Sequence, residues 1–418
     1  MSSFKYRRGT SFNVSFPTAP SLVSKPERVE LIQRQYEHDV MVLEYQNSSS
    51  LWFSTLKTGT PIVFTWSKDS QAHSWIGYVI NVSKTSAGER KRPMKIFCIG
   101  PSYVLKARAS RNFKNVTVTD VARTIAKEFK LNFVGENSTR KFPQLSMTGQ
   151  SYWQWLQEQA ARIGYGMYVR GATLYLRPLD KIINEGMSYA AIMTLQPPLI
   201  PADGQFLDKT LDNFEILNGD FIENGEAANS IKATSGVNPL TGKHVNGSQD
   251  PNKTGQKMRR NTTTAIFTEY TNEVVHSAAL GKQAAKDLAE AARFTTPAKI
   301  SGQGDHRLVP YNVAYLEGTG VDTDGYWLVK ETKHIFLLTG KYQIEASVIT
   351  DGIGANVVTA FRTARPNQVG TINVEEKLLR DLTQNKNSSG SPRLISKMPA
   401  ILQGQQGFAQ LGSVWSGK

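Results

Sequence analysis

Apolar and polar residues alternate along much of the first hundred positions, at the period of two that predicts β-strands. Polar turns divide residues 61–100 into three predicted strands, and residues 28–52 supply another. We therefore predict a first β-barrel-like domain over residues 1–106 with a mobile, proline-containing N-terminus. The apolar positions that carry the alternation are Ile62, Phe64, Trp66, Ile76, Tyr78, Ile80 and Val82.

A helical period replaces this alternation in the next segment. A capping-box pattern at Thr117 begins one amphipathic stretch, and a second stretch starts at Ser151 and stops at Gly164. A glycine-centred turn at residues 170–172 then separates two short apolar runs, which is typical of a tight β-hairpin. The pattern predicts a small α+β domain over residues 107–177.

Strand patterns return in the C-terminal half and predict a second β-barrel-like domain over residues 178–362. Residues 273–293 have the spacing of a helix with one packed face. Residues 226–263 are rich in Asn, Gly, Ser, Thr and Lys, so we predict a polar loop insertion there. The predicted strands are residues 297–301, 312–316, 326–334 and 342–349.

The last segment, residues 363–418, reads as an extended C-terminal arm. Its apolar residues are too sparse to fold alone but suit docking on a neighbouring protein, whereas the alternative is a loose tail with incidental hydrophobic residues. The candidate partner-binding residues are Met398, Ile401, Leu402, Phe408, Leu411 and Trp415.

Length and composition limit the classes of protein. A chain of 418 residues exceeds what one hydrophobic core usually serves, which favours several domains. No apolar run is long enough to span a bilayer, and no apolar segment follows the basic N-terminus, so we expect no membrane anchor and no signal peptide. Cys98 is the only cysteine, which excludes a disulfide within the chain and fits synthesis in a reducing cytoplasm.

The formal net charge of +14 is compatible with a nucleic acid or another polyanionic partner. The basic residues are scattered, with local concentrations only at residues 89–93, 106–111 and 257–260. This distribution favours solvated surface or an acidic protein partner over a dedicated nucleic-acid site.

Motifs for metal, nucleotide or covalent chemistry are missing from the sequence. The six histidines have no metal-ligand spacing, and there is no phosphate-binding loop, dinucleotide fingerprint or serine nucleophile elbow. Asp322 and Asp324 resemble the start of a calcium loop, but Tyr326 and Lys333 occupy ligand positions, so an Asp-Gly turn is the better interpretation. We expect no cofactor, no metal and no enzymatic activity.

Three aromatic residues at the start of the second helical stretch could stack on a sugar or a base. Their helical spacing favours core packing instead. They are Tyr152, Trp153 and Trp155.

The order of these motifs resembles the late-control protein D family of phage tails. Residues 112–131, 151–168 and 171–176 carry the resemblance in the α+β domain, and residues 309–330 resemble that family's second barrel. Relatives of the family include baseplate hub proteins of contractile phages and the N-terminal half of valine-glycine-repeat spikes in type VI secretion. The resemblance covers most of residues 61–350.

This resemblance implies a mainly β fold with α+β: two β-barrel-like tube domains, a small LysM-like α+β domain and the extended arm. It also implies a homotrimer in the virion tail baseplate, synthesised in the bacterial host cytoplasm, whose barrels form a pseudo-hexameric ring between a six-fold tail tube and a three-fold central spike. No valine-glycine repeat follows Thr350, so a separate spike protein is expected. Further expected partners are tail tube or tube-initiator proteins and other baseplate proteins, with DNA only in transit.

Two other classes of function stay open from the sequence. A tail-associated peptidoglycan-binding or peptidoglycan-cleaving protein would need a paired acid and base in a cleft. A DNA-binding protein would need its basic residues clustered on one face and a steep salt dependence.

Overall fold

The computed structural model describes most of the chain before residue 352, with gaps. The described residues are 10–20, 25–46, 55–68, 71–84, 93–195, 210–216, 230–238, 240–249, 258, 267–271, 275, 277–292, 294, 296–320 and 323–351.

Strands dominate these residues, and the prediction of a mainly β fold is confirmed. The helices are α1 (Val118–Glu128), α2 (Tyr152–Arg162), α3 (Leu179–Ser188) and α4 (Ala278–Ala292), with a 3-10 helix at Pro101–Lys106. The strands are β1 (Ser11–Ser15), β2 (Arg28–Arg34), β3 (Val40–Tyr45), β4 (Pro61–Lys68), β5 (Gln71–Lys84), β6 (Met94–Ile99), β7 (Arg108–Thr117), β8 (Asn132–Gly135), β9 (Lys141–Ser151), β10 (Tyr165–Arg170), β11 (Thr173–Pro178), β12 (Ala191–Leu195), β13 (Thr210–Ile216), β14 (Ser230–Val237), β15 (His244–Gln249), β16 (Phe267–Thr271), β17 (Thr296–Gln303), β18 (Val313–Glu317), β19 (Gly325–Leu337) and β20 (Tyr342–Thr350).

The first six strands form the N-terminal sheet, in the order β1-β4-β5-β6-β3-β2. Their inward side chains, including Leu43 and Phe64, form one buried core. β1 lies in the N-terminus that we predicted to be mobile, and that prediction is wrong for residues 11–15. The strand forms because Phe12 and Val14 alternate into the core and pair with β4.

The C-terminal strands form a closed barrel, in the order β19-β18-β12-β13-β17-β20, because β19 also pairs with β20. Trp327 is fully buried in its core. β2 pairs with β19 from Arg34↔Glu331 to Arg28↔Leu337, so the N-terminal sheet continues into the barrel. The two predicted barrel-like units are therefore parts of one twelve-stranded sheet.

The small α+β unit lies between them in sequence and has its own core. Its two-stranded antiparallel ribbon, β7–β9, packs beside α1 and α2, and β10, β11 and β8 form a second sheet. The predicted capping box is present, since Thr117 Oγ1 accepts from the Asp120 backbone N–H and the Asp120 carboxylate accepts from the Thr117 N–H. The predicted hairpin at residues 170–172 is also confirmed.

Part of the segment that we predicted to be a polar loop insertion, residues 226–263, is instead ordered as β14 and β15. With β16 these strands form a three-stranded sheet that packs on α4. These strands have no clear alternation of apolar residues, because small residues allow close packing there. Gly247, for example, lets its strand approach the backbone of Gly281 closely. The helix predicted at residues 273–293 is α4, which begins at Ala278.

The predicted domain boundaries stay predictions, because continuous strand pairing between the N-terminal sheet and the barrel does not itself define a domain limit. Among the described residues, no helix is long and apolar enough to cross a membrane.

Candidate functional site

The predicted docking residues of the C-terminal arm lie outside the described residues, and their role stays a prediction. They are Met398, Ile401, Leu402, Phe408, Leu411 and Trp415. Within the described part of the chain, two clusters bring together side chains from distant segments. We call these the tyrosine junction (Tyr36, Tyr168, Tyr175, Tyr311) and the histidine junction (His73, Asp305, His306, Arg307, His334, Tyr342).

The tyrosine junction joins the N-terminal sheet, the α+β unit and the barrel. Tyr311, which precedes β18, is buried and stacks on Tyr168 of β10 with ring centroids 5.1 Å apart. Tyr36, from the β2–β3 turn, meets Tyr311 edge-on at 5.8 Å. Tyr175 of β11 also stacks on Tyr168, with ring centroids 4.8 Å apart. One aromatic cluster thus contains side chains from all three parts of the molecule.

Two of these tyrosines have a left-handed backbone, with φ of 60° at Tyr36 and 71° at Tyr311. This conformation costs a residue with a bulky side chain about 1 to 3 kcal/mol and persists where neighbours fix it. The Tyr36 hydroxyl donates to the Tyr165 carbonyl at 3.1 Å, and the Trp153 indole N–H donates to the Tyr36 carbonyl at 3.0 Å. These contacts hold the turn against the α+β unit.

Arg170 provides a polar connection at the same place. Its guanidinium donates to the Pro310 carbonyl at 2.9 Å and to Asn312 Oδ1 at 3.3 Å, and it lies 4.8 Å from the centroid of the Tyr168 ring. Charge-assisted hydrogen bonds and cation–π contacts both stabilise the position of an arginine side chain, and Arg170 makes both. Arg170 therefore fixes the β10–β11 hairpin to the segment that carries Tyr311.

We expect Gly166→Ala to lower the unfolding free energy by about 1 to 3 kcal/mol, because it overpacks this junction. An added Cβ would lie 2.8 Å from Tyr311 Cε1 and 2.9 Å from Ile182 Cδ1. Thermal unfolding of the full chain measures the loss. Gly149→Ala is the control: no atom of the described residues lies within 4 Å of its added Cβ, so only its positive φ should cost stability. A smaller loss at Gly166 than at Gly149 would contradict the close packing.

The histidine junction joins the N-terminal sheet to the barrel around a buried ion pair. Asp305 follows β17 and is 3% exposed. Arg307 donates to it through its backbone N–H at 2.9 Å, through Nε at 3.1 Å and through Nη2 at 2.8 Å. The two residues form a geometrically complete charge pair, of the kind that a buried carboxylate needs.

Histidines and an aromatic hydroxyl surround this pair. His73 of β5 stacks on His306 with ring centroids 3.8 Å apart, and His334 Nδ1 of β19 lies 2.8 Å from the Tyr342 hydroxyl. Lys68 of β4 donates to the Gly304 carbonyl at 2.6 Å. Contacts from β4 and β5 to the loop after β17 thereby connect the sheet with the barrel away from the β2–β19 pairing.

Burial sets the protonation of these groups. It lowers the pKa of His306 to about 3 and that of His334 to about 4, so both rings are neutral near pH 7. Burial alone would raise the pKa of Asp305, but hydrogen bonds from Arg307 and its charge hold that pKa below its usual range. Histidines with such low pKa values match proton transfer at neutral pH poorly. We interpret the cluster as a packing and charge-pair junction.

Acidification should destabilise this junction. The pKa of His306 is about 3 in the folded protein and 6.5 for a free side chain, so the unfolded chain binds more protons between these values. Stability is therefore complete above pH 6.5 and falls as the pH drops towards 3. Because the His306 side chain is 21% exposed, we expect its share of the loss at pH 5 to be only about 1 kcal/mol.

His306→Phe keeps a ring on His73 but removes the titrating group. Its unfolding free energy should fall less steeply between pH 7 and pH 5 than that of the wild type, by about 1 kcal/mol in denaturant titrations. Parallel curves for the two proteins would contradict the buried, neutral state of His306.

Helix α4 also contacts the α+β unit. Asp287 accepts from Arg140 at 3.5 Å and from Gln283 at 2.8 Å, and both members of the charge pair are buried. Gly164, at the end of α2, lies against the Asp287 backbone. The sheet that α4 carries is thereby attached to the unit that the tyrosine junction also fixes.

The structure also shows the predicted Asp-Gly turn and the surroundings of the aromatic residues of α2. The Asp324 carboxylate accepts from the Thr319 N–H at 2.7 Å, from the Thr319 hydroxyl at 2.9 Å and from the Gly320 N–H at 3.2 Å, as expected for a turn. Asp322 lies outside the described residues. Within those residues, no group of three or more His, Cys, Asp or Glu side chains could hold a metal ion. The aromatic residues of α2 are buried, so their core interpretation is confirmed.

Sequence reasoning missed both junctions. Their members lie in segments up to about 275 residues apart, and neither the tyrosines nor the histidines have a spacing that signals contact. The one usable signal was indirect: in the sequence, a polar segment that contains Tyr36 separates two short apolar runs, residues 29–32 and 40–43. It could have indicated a turn residue with an aromatic partner, but not which partner.

Solved structures of phage tail proteins share this fold. A tail protein from Neisseria meningitidis has a TM-score of 0.56 and 15% identity, over 83% of this chain and 98% of that one. The 43 kDa tail protein of prophage MuSo2 from Shewanella oneidensis has a TM-score of 0.53 and 11% identity, over 82% of this chain and 99% of that one.

A component of the type VI secretion system from E. coli also aligns, with a TM-score of 0.47 and 8% identity over 79% of this chain and 76% of that one. No protein-family model and no curated protein matches the sequence. The two tail proteins align over nearly their whole length. The chain therefore has the fold of phage tail proteins, as its resemblance to the late-control protein D family predicted.

Proposed function

We propose that this chain is the structural baseplate hub of a contractile phage tail or a related injection machine. In this role it is a homotrimeric adaptor between the six-fold tail tube and the three-fold central spike. The observation that carries the proposal is the twelve-stranded sheet, in which two six-stranded units of one chain are joined by the β2–β19 pairing. The fold shared with phage tail proteins supports a tail location.

Symmetry connects this architecture with the proposed role. Three copies of a chain with two barrel-like units present six such units around one axis, which suits contact with six identical tube subunits. The other face of the same trimer keeps three-fold symmetry and suits a trimeric spike. The two units must keep a fixed relative orientation for this to work. The β2–β19 pairing and the two junctions give the single chain that rigidity.

The proposed mechanism is assembly and transmission of mechanical load, without a chemical step. Trimer and tube interfaces of this kind bury large, partly apolar surfaces. The C-terminal arm, with the apolar residues from Met398 to Trp415, is our candidate for contact with a separate spike protein. DNA would pass through the central channel only in transit, and other baseplate proteins would bind the outer surface.

The absolute mass of the purified chain by light scattering tests the proposal, alone and mixed with its candidate spike. We expect a trimer, or a three-to-three complex with the spike, and no cleavage of peptidoglycan by the same fractions. A persistent monomer that does not bind the spike and degrades cell wall would refute the hub and favour a peptidoglycan-cleaving enzyme.

Truncation of residues 363–418 should leave trimer formation intact and weaken spike binding if the arm has the role proposed here.

A further inference from the structure

The small α+β unit carries an unusual share of the positive charge. Residues 107–177 contain eleven Lys and Arg against four Asp and Glu, a net charge of +7, while the whole chain has +14. About a sixth of the sequence thus holds half of the net charge. The scattered appearance of the basic residues in the sequence hides this concentration.

The four carboxylates of this unit all have partners within the fold. Asp120, Glu128 and Glu136 each pair with a cation, whereas Glu158 accepts from neutral amides, and none of the four forms an ion pair with Arg108 or Lys114 among the described residues. The partners are Thr117 and Arg123 for Asp120, Arg111 for Glu128, Arg177 and Lys181 for Glu136, and Gln150 and Gln154 for Glu158.

The uncompensated cations include residues on the β7–β9 ribbon. Arg108 and Lys114 are exposed there and form no ion pair with any residue that the structure describes. Every second residue of β7 from Arg108 to Lys114 is exposed, whereas Phe113 faces the core opposite the buried Leu145. One face of the ribbon therefore packs on the protein, and the other faces water.

We call the outward side the ribbon face. It contains cations, hydroxyls and amides but no carboxylate, and the exposed Pro143 adjoins its end at Gln144. Cross-strand pairs place Asn112 opposite Ser146 and Lys114 opposite Gln144. Its residues are Arg108, Ser110, Asn112, Lys114, Gln144, Ser146 and Thr148.

We propose that the ribbon face binds the phosphate backbone of double-stranded DNA. Contacts to DNA phosphates come from Arg and Lys together with Ser, Thr, Asn and Gln side chains, which is the composition of this face. At about 3.4 Å per residue, Arg108 and Lys114 lie about 20 Å apart along the strand, so they can reach separate phosphates of one duplex. A two-stranded ribbon is also narrow enough to follow the major groove.

The composition of the ribbon face disfavours a protein partner. The centres of protein interfaces are enriched in aromatic side chains, Met and Arg, and the ribbon face offers one arginine and no apolar anchor. A polyanion needs no such anchor, because released counterions drive its binding. This site goes beyond the hub role, since a monomer would carry it as well as a trimer.

Fluorescence anisotropy of a short labelled DNA duplex with the full chain tests the proposal over a series of salt concentrations. We expect binding at low salt that weakens steeply as salt rises. The double variant Arg108→Gln, Lys114→Gln should bind at least about 10-fold more weakly, and its logarithmic salt slope should be smaller by about 2.

The matched control is Lys127→Gln, Lys130→Gln, which removes the same charge from exposed positions at the C-terminal end of α1 and just beyond it. It should bind DNA within about 3-fold of the wild type and keep most of the salt slope. Equal thermal midpoints for the three proteins would show that folding is unaffected. A wild type that fails to bind at low salt would overturn the proposal, as would equal losses in both variants or equally strong competition by polyglutamate.

Discussion

Tyr311→Ala is expected to lower the unfolding free energy of the barrel by about 4 kcal/mol, because it removes a large, fully enclosed ring from the tyrosine junction. Tyr311 is 2% exposed, and its ring contacts Tyr36 and Tyr168 from the two other parts of the molecule. Alanine would also keep the left-handed backbone without the contacts that hold it there. Denaturant titration of the full chain, followed by tryptophan fluorescence, measures the loss.

Tyr311→Phe is the matched control for this change. It keeps the ring and its stacking on Tyr168, so we expect a loss of only about 1 kcal/mol or less. The alanine variant should also become sensitive to limited proteolysis between the α+β unit and the barrel. A stability close to the wild type, with unchanged proteolysis, would show that the junction does not hold these parts together.

Asp305→Asn is expected to cost about 3 kcal/mol, because breaking a buried pair leaves the other charge without its partner. The amide keeps the shape of the carboxylate but offers a donor where Arg307 Nη2 or Nε also donates. Since the Arg307 side chain is 28% exposed, water can replace part of the lost interaction, and this keeps the cost near the lower end of the range for buried pairs. Thermal and denaturant unfolding measure the loss.

The exposed pair Lys95–Glu44 is the control for that experiment. Glu44→Gln breaks an ion pair of 2.7 Å whose lysine side chain is 55% exposed, and such surface pairs contribute about 1 kcal/mol or less. Equal losses in the two variants would mean that the histidine junction gains nothing from its burial. A larger loss at Asp305 would show that this buried pair stabilises the loop after β17 more than a surface pair stabilises a strand.

The features that the sequence predicted correctly are local ones. The capping box at Thr117, the helix that ends at Gly164 and the hairpin at residues 170–172 depend on neighbours within a few positions, so their patterns are visible in one segment. Alternation in β4 and β20, each of which has one buried side and one more exposed side, was visible for the same reason. In β5 the alternation predicted a strand, although the buried positions include Trp75 and Val79 and the apolar Ile76 is only half-buried.

The remaining features depend on contacts between distant segments. Closure of the barrel requires β19 to pair with both β18 and β20, and no pattern within β19 encodes this. The strands β14 and β15 bury Ala233 and Val245 and approach neighbouring backbone at Gly236 and Gly247, a pattern with little hydrophobic signal. The left-handed backbone of Tyr311 is stable only among its partners, so a single sequence gives no reason to expect it.

Of the candidate site, the sequence indicated the arm residues but not the two junctions. The arm residues from Met398 to Trp415 were chosen because they are apolar within a polar segment, and their docking stays a prediction. The two junctions were missed because each is a meeting of residues from three or more elements. His73 and His306 are isolated in sequence, yet their rings stack in the fold.

The β2–β19 pairing also constrains how the protein is made. Leu31 pairs with His334, about 300 positions later, so the edge of the N-terminal sheet has no partner until nearly all of the described chain has been synthesised. At about 5 to 20 residues per second, this wait lasts about 15 to 60 seconds on the ribosome. During that time β2 presents an open edge to other nascent chains. We expect high-level expression to need a chaperone that covers this edge until β19 has been made.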